Sequence, residues 1–150
     1  MSKDTFTNKI LFVWDFDGVL ACSMYEPLTS SYASFGLTPS KNEIKYYLNC
    51  KKDIHNVRTL QNKLCKLRDV FDIHPKVFQQ KLFNYRNQNK NNIEYVKQFK
   101  PTLLAKFLKF FSNFNDCIVL TSRDRETVEK FLSGNHIQAK KIFSTANEDL

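Results

Sequence analysis

Paired cysteines, long apolar runs and internal repeats are all missing from this 150-residue chain. The four cysteines, Cys22, Cys50, Cys65 and Cys117, form no CxxC pair and share no regular spacing. That argues against a zinc site or a disulfide framework, and reduced thiols in a cytoplasmic compartment are expected. Residues 1–9 are polar and the next apolar run stops at Asp15, so neither a signal-peptide core nor a membrane span is expected. Histidine is scarce as well: His55, His74 and His136 have no partners at metal-ligand spacing and read as surface or capping residues.

What the chain does have is apolar content and positive charge. Apolar residues make up 42% and the 14 Phe and 6 Tyr are spread throughout, so a folded protein with a real core is expected. The net charge of +8 is uneven: residues 41–110 hold 16 Lys/Arg against 5 Asp/Glu, leaving 7 against 10 elsewhere. A basic middle attracts phosphorylated ligands or nucleic acid, but a solvated helical surface is the commoner cause, and no nucleic-acid motif accompanies the charge.

Residues 10–14 (ILFVW) form an unbroken apolar run that ends in acids and a glycine, the pattern of a central parallel strand buried on both faces. Residues 117–120 (CIVL) repeat it and lead into Thr121 and Ser122, and residues 141–144 (KIFS) form a shorter third strand. Between the first two strands the spacing is helical. Leu28, Tyr32 and Phe35 precede a stop at Gly36, and Ser40 with Glu43 makes a capping box ahead of Ile44, Tyr47 and Leu48. A long periodic stretch runs through Val57, Leu60, Leu64, Leu67 and Phe71; Pro75 opens another helix; the Asn-rich 87–92 reads as an exposed loop. Pro101 suits the first turn of a helix carrying Leu104, Phe107, Leu108 and Phe111, and Val128, Phe131 and Leu132 mark a helix closed by Gly134. The Phe-rich face at 107–114 has helical spacing and is read as core rather than as a base-stacking platform. Strands alternating with helices predict an α/β fold with a Rossmann-like parallel sheet and an inserted α-helical segment.

Chemistry concentrates at Asp15-Phe16-Asp17-Gly18-Val19-Leu20. Two acids leave the tip of an apolar strand together, where ligands bind in open α/β sheets. Close carboxylates repel unless a cation or shared proton intervenes, so Mg2+ is the natural partner of Asp15 and Asp17. Gly18 allows a sharp turn and a close backbone approach to a ligand. One carboxylate can attack a phosphoryl group while the other protonates the leaving oxygen and then activates water. Asp15 is assigned the first role and Asp17 the second. Thr121 and Ser122 read as phosphate contacts that can also cap the following helix. Arg123 either reaches a substrate phosphate or sits on the surface.

These residues resemble the haloacid dehalogenase superfamily, whose first motif, an apolar strand followed by DxDGxL, is matched by WDFDGVL at 14–20. Thr121 at the end of CIVL looks like the second motif, and the helical insertion between them resembles members with a helical cap. FGLTPSKNEI at 35–44 and KPTLLAKFLKFF at 100–111 look like the stretches that flank such caps. The resemblance implies an incomplete α/β core of residues 1–22 and 98–150, with a helical cap at 23–97. It implies Mg2+ on the Asp15 side chain and the Asp17 carbonyl, and phosphate touched by loop amides around Phe16 and Gly18. An acid at position 17 favours phosphoryl transfer over dehalogenation. The third-motif lysine is matched only by Lys140 and Lys141, at the front of the KIFS strand and earlier than usual; Lys141 is taken as the phosphate contact. No apolar strand leads into Glu148 and Asp149, which read as a solvated tail rather than fourth-motif acids. A sheet lacking strands would have an open edge for a homodimer or a partner chain. The expected function is Mg2+-dependent phosphatase or phosphotransferase chemistry on a small phosphorylated metabolite, with no membrane partner. The alternatives are a catalytically impaired relative that binds or regulates and, third, a nucleic-acid-binding module.

Overall fold

The computed structural model describes residues 10–50, 56–113 and 116–147. His55 and Phe114 lie outside the described residues, as does the tail with Glu148 and Asp149. The chain forms two compact units: Ser23–Gln98, and the two flanking stretches up to Cys22 and from Phe99 onward.

In the flanking unit, β1 (Leu11–Asp15), β4 (Asp116–Thr121) and β5 (Lys141–Ser144) form a parallel sheet in the order β1-β4-β5. A short antiparallel pair joins β2 (Ala21–Cys22) to β3 (Lys100–Pro101). The two helices, α6 (Leu103–Phe111) and α7 (Arg125–Gly134), supply the crossovers that parallel pairing requires. Phe111 of α6 meets Phe12 edge to face at 4.7 Å, and Phe131 of α7 meets Phe16 at 5.1 Å. The sheet is thus α/β and Rossmann-like, and all three expected strands form.

The expectation that β1 is central and buried on both faces is corrected. β4 is the middle strand, β1 has no neighbour on its other edge among the described residues, and Leu11 and Val13 are 52% and 50% exposed. Alternate residues face opposite ways along a strand, so the Phe12 side meets α6 while the Leu11 and Val13 side stays open. The expected core stripe on α6 is also partly reversed: Ala105 and Leu108 are buried, whereas Phe107 and Phe110 are exposed. Pro101 sits in β3 rather than in the helix, which Thr102 caps by accepting from the Ala105 amide.

The helical unit holds α1 (Glu26–Ala33), α2 (Lys41–Asn49), α3 (Val57–Cys65), α4 (Pro75–Asn89) and α5 (Ile93–Val96). The Ser40 and Glu43 capping box is present. Gly36 takes φ +70, the left-handed conformation that suits a residue without a Cβ at a helix stop. The stretch from Val57 to Phe71 is not one helix. It turns at Lys66, where the Leu67 and Arg68 amides share the Leu64 carbonyl, and Phe71 then swings into a cluster with Tyr32, Phe35 and Phe78. Burial of four rings outweighs continued helical periodicity there. Half of the Asn-rich segment is helical too, because α4 runs to Asn89 and Asn92 caps α5.

One ion pair in this unit is fully enclosed on its acidic side. Glu26 is 0% exposed, takes two bonds from the Arg86 guanidinium at 2.7 and 2.8 Å, and accepts from Ser30 and the Tyr95 hydroxyl. Removing one partner strands a buried charge, so Arg86→Met is expected to lower unfolding free energy by about 3 kcal/mol. Lys97→Ala, which breaks an exposed pair with Glu94, is expected to change it by under about 0.5 kcal/mol. Denaturant titration checks both, and equal effects would refute the distinction.

Glu43 supplies a pH signature. The Arg68 guanidinium beside it, aided by the Ser40 amide, outweighs partial burial and holds its carboxyl down to about 2 from the ordinary 4.5. A depressed carboxyl stabilises the fold above its unfolded value, and that stability is lost as pH falls from 4.5 through 2. The stability difference between native protein and Glu43→Gln is therefore expected to shrink between about pH 6 and about pH 2 in urea melts. A difference that stays constant with pH would contradict it.

Candidate active site

Parallel register brings Asp15 and Thr121 to one end of the sheet. Leu11 pairs with Asp116 and Asp15 with Leu120, so Asp15 and Thr121 are the last residues of neighbouring strands. Thr121 in turn pairs with Ser144, the last residue of β5. Apolar runs that stop at the same level create this edge, because each strand ends where its side chains turn polar.

The turn after β1 is tightly built. Phe16 is fully buried against Phe99 and Phe131, and its carbonyl accepts from the Leu20 and Ala21 amides. Its amide donates to the Asp15 carboxylate at 2.7 Å. Gly18 takes φ +80 and donates to the Ala21 carbonyl at 2.8 Å. The two amides expected to touch phosphate thus satisfy groups within the turn in this state.

Asp17 meets a residue the sequence left undecided. Arg123 donates to both of its carboxylate oxygens, at 2.9 and 3.3 Å, and places its guanidinium 4.9 Å from the Phe99 ring centroid. The Arg123 amide donates to the Thr121 hydroxyl oxygen at 3.0 Å, and its carbonyl accepts from the Ser144 hydroxyl at 2.6 Å. Arg123 therefore ties together the ends of β1, β4 and β5. Thr121 is buried, and spending a lone pair on Arg123 leaves its hydroxyl hydrogen for another acceptor. Ser122 is exposed at the bend after β4. Neither residue caps α7; Asp124 does, accepting from the Thr127 amide at 2.9 Å.

Lys141 is not brought to this cluster. It opens β5 opposite Ile118, about 10 Å along the strand from Ser144, with its ammonium 4.5 Å from the Phe143 ring centroid. Lys140, the other lysine there, pairs with Asp116 at the same far end. A phosphate-contacting lysine would have to follow β5 rather than start it. Ser144 was the residue missed: KIFS ends in a hydroxyl just as CIVLT does, and that shared pattern was the available signal.

Among the described residues no three His, Cys, Asp or Glu side chains cluster as metal donors. The donors at this end of the sheet are all oxygen and Asp15 is open to water, which fits a hard cation that keeps several of its own waters, as Mg2+ does. The Asp15 carboxylate and the Asp17 main-chain carbonyl are the groups that would hold it.

No protein-family profile matches the chain, and no curated protein matches it in sequence. Solved structures do. A haloacid dehalogenase-like hydrolase from Streptococcus pneumoniae superposes with TM-score 0.54 at 13% identity, covering 91% of this chain and 61% of that one. A predicted phosphoglycolate phosphatase from Haemophilus somnus gives 0.52 at 17% identity, covering 97% and 65%. The fold is therefore haloacid dehalogenase-like, with a helical insertion between the first two strands of its parallel sheet. The chain spans under two thirds of the length of either structure. No helix among the described residues is long and apolar enough to cross a membrane.

Proposed function

We propose that this chain handles phosphoryl groups as a Mg2+-dependent phosphatase-like protein acting on a small phosphorylated metabolite in the cytoplasm. One observation carries the reading: Asp15 and Asp17 leave the C-terminal end of β1 beside Thr121 at the end of β4, on a haloacid dehalogenase-like fold. A predicted phosphoglycolate phosphatase among the structural neighbours accords with it, and the basic helical unit adds attraction for anions.

In this reading the Asp15 carboxylate attacks phosphorus and forms an acyl phosphate, while the bond to the leaving oxygen breaks and Asp17 gives that oxygen a proton. Asp17 then takes a proton from water, whose oxygen attacks the same phosphorus; phosphate departs and both acids return to their starting states. Bound Mg2+ supplies charge stabilisation for the phosphoryl oxygens. Thr121 donates its remaining hydroxyl hydrogen to one of them, and Ser122 lies close enough in sequence to add a second contact.

A specific observation favours a second reading, a catalytically impaired protein that binds a phosphorylated ligand: the Asp17 carboxylate is already engaged by Arg123.

Hydrolysis of a generic phosphomonoester with Mg2+ separates the two. Activity is expected to fall by at least about a hundredfold in Asp15→Asn and in Asp17→Asn, and Lys141→Gln is expected to leave it within about twofold. Acid-quenched native protein should carry one phosphoryl group on Asp15. Hydrolysis that is negligible, and no lower in Asp15→Asn, would sink the phosphatase reading and leave the binding one.

A further inference from the structure

Arg123 is 13% exposed, and its main chain is held from both sides by the Thr121 and Ser144 hydroxyls. Its guanidinium rests against the Phe99 ring, so the side chain is confined to the space between Asp17 and the end of β4. The planar fork of arginine suits a phosphate as well as a carboxylate. The strength of the two claims differs. Asp17 carries one negative charge and is 30% exposed, so water can take over its solvation, whereas a phosphoryl dianion beside Thr121 presents more charge and more acceptor oxygens.

We propose that Arg123 is the ligand-sensing residue of this site: an entering phosphoryl group takes the guanidinium from Asp17, so that anion binding and release of the Asp17 carboxylate are one event. This rests on the phosphate-handling reading and extends it. The ion pair closes the site in the ligand-free protein and competes with the ligand, and by linkage each weakens the other by the same factor.

Calorimetric titration with inorganic phosphate in the presence of Mg2+ tests the coupling in native protein, Asp17→Asn, Arg123→Gln and the double variant. Arg123→Gln is expected to weaken binding about tenfold and Asp17→Asn to strengthen it about fivefold, with most of that gain gone when Arg123 is also replaced. Part of the gain is relief of like-charge repulsion, which survives without Arg123; a gain of full size in the double variant would overturn the proposal. So would Arg123→Gln that binds phosphate as tightly as native protein, which would leave Arg123 a structural tie. A readout needing no substitution is the side-chain Nε–H resonance of Arg123, which should shift as phosphate is added. A resonance that stays put while calorimetry reports binding would also overturn it. Native protein that binds no phosphate at millimolar concentration would remove the phosphate-handling reading itself, whereas binding with additive variants removes the sensing role alone.

Discussion

Parallel pairing of β1 with β4 is the constraint from which the site follows. Because the two strands run the same way, the acids that end β1 and the hydroxyl that ends β4 emerge on one side of the sheet. Antiparallel pairing would have set Asp15 beside the start of β4 and separated the same residues by the length of a strand. The crossover that parallel pairing demands is also what makes room for the helical unit, since any excursion of sufficient length can return the chain to the neighbouring strand. Fold and site are thus one consequence of two apolar runs accepting a common direction.

Given that arrangement, the turn after β1 must hold two carboxylates in close succession, and each is steadied by a different device. Asp15 leans on the amide that follows it, a local bond within a single turn. Asp17 draws on a guanidinium 106 residues away in sequence. The second device is the more consequential, because the arginine that supplies it is anchored by the ends of two other strands. Neutralising one acid therefore also locks three strand ends to one another. Any ligand that recruits the guanidinium must disturb that lock, which gives the end of the sheet a mechanical link to occupancy.

Much of this was legible before the structure. Apolar runs that stop abruptly at acids or hydroxyls marked both strands and the catalytic candidates, because those features are local and tied to backbone geometry. The capping box at Ser40 was readable for the same reason. Arg123 was not, since an arginine two residues beyond a strand looks alike whether it meets solvent or a carboxylate from a distant turn. Lys141 rests on the resemblance to a third-motif lysine, but it starts β5, and a strand that rises about 3.3 Å per residue sets it away from the end that carries the acids. α7 ends at Gly134, as its sequence predicts, and the left-handed position beyond it falls to His136, at φ 56, as the Ile137 amide reaches back to Leu132. Composition pointed to a stop but not to the residue that adopts the unusual angle.

The exposure of β1 is informative in the opposite direction. Its residues were read as buried on both faces because ILFVW has no polar member to spare for solvent, and composition of that kind remains a demand for cover whether or not the cover is met. Natural sheet edges are blunted by lysine, proline or a bulge, and β1 carries none of these between Leu11 and Trp14. Burying Leu11 and Val13 would contribute about 1.5–3 kcal/mol each, large beside the net stability of a single domain. The open face also carries Asp15, since Leu11, Val13 and Asp15 alternate onto the same side of the strand. Whatever shields those apolar side chains would therefore also set how much water reaches the carboxylate assigned as nucleophile, so the stability of this sheet and the reactivity of its site meet at a single edge.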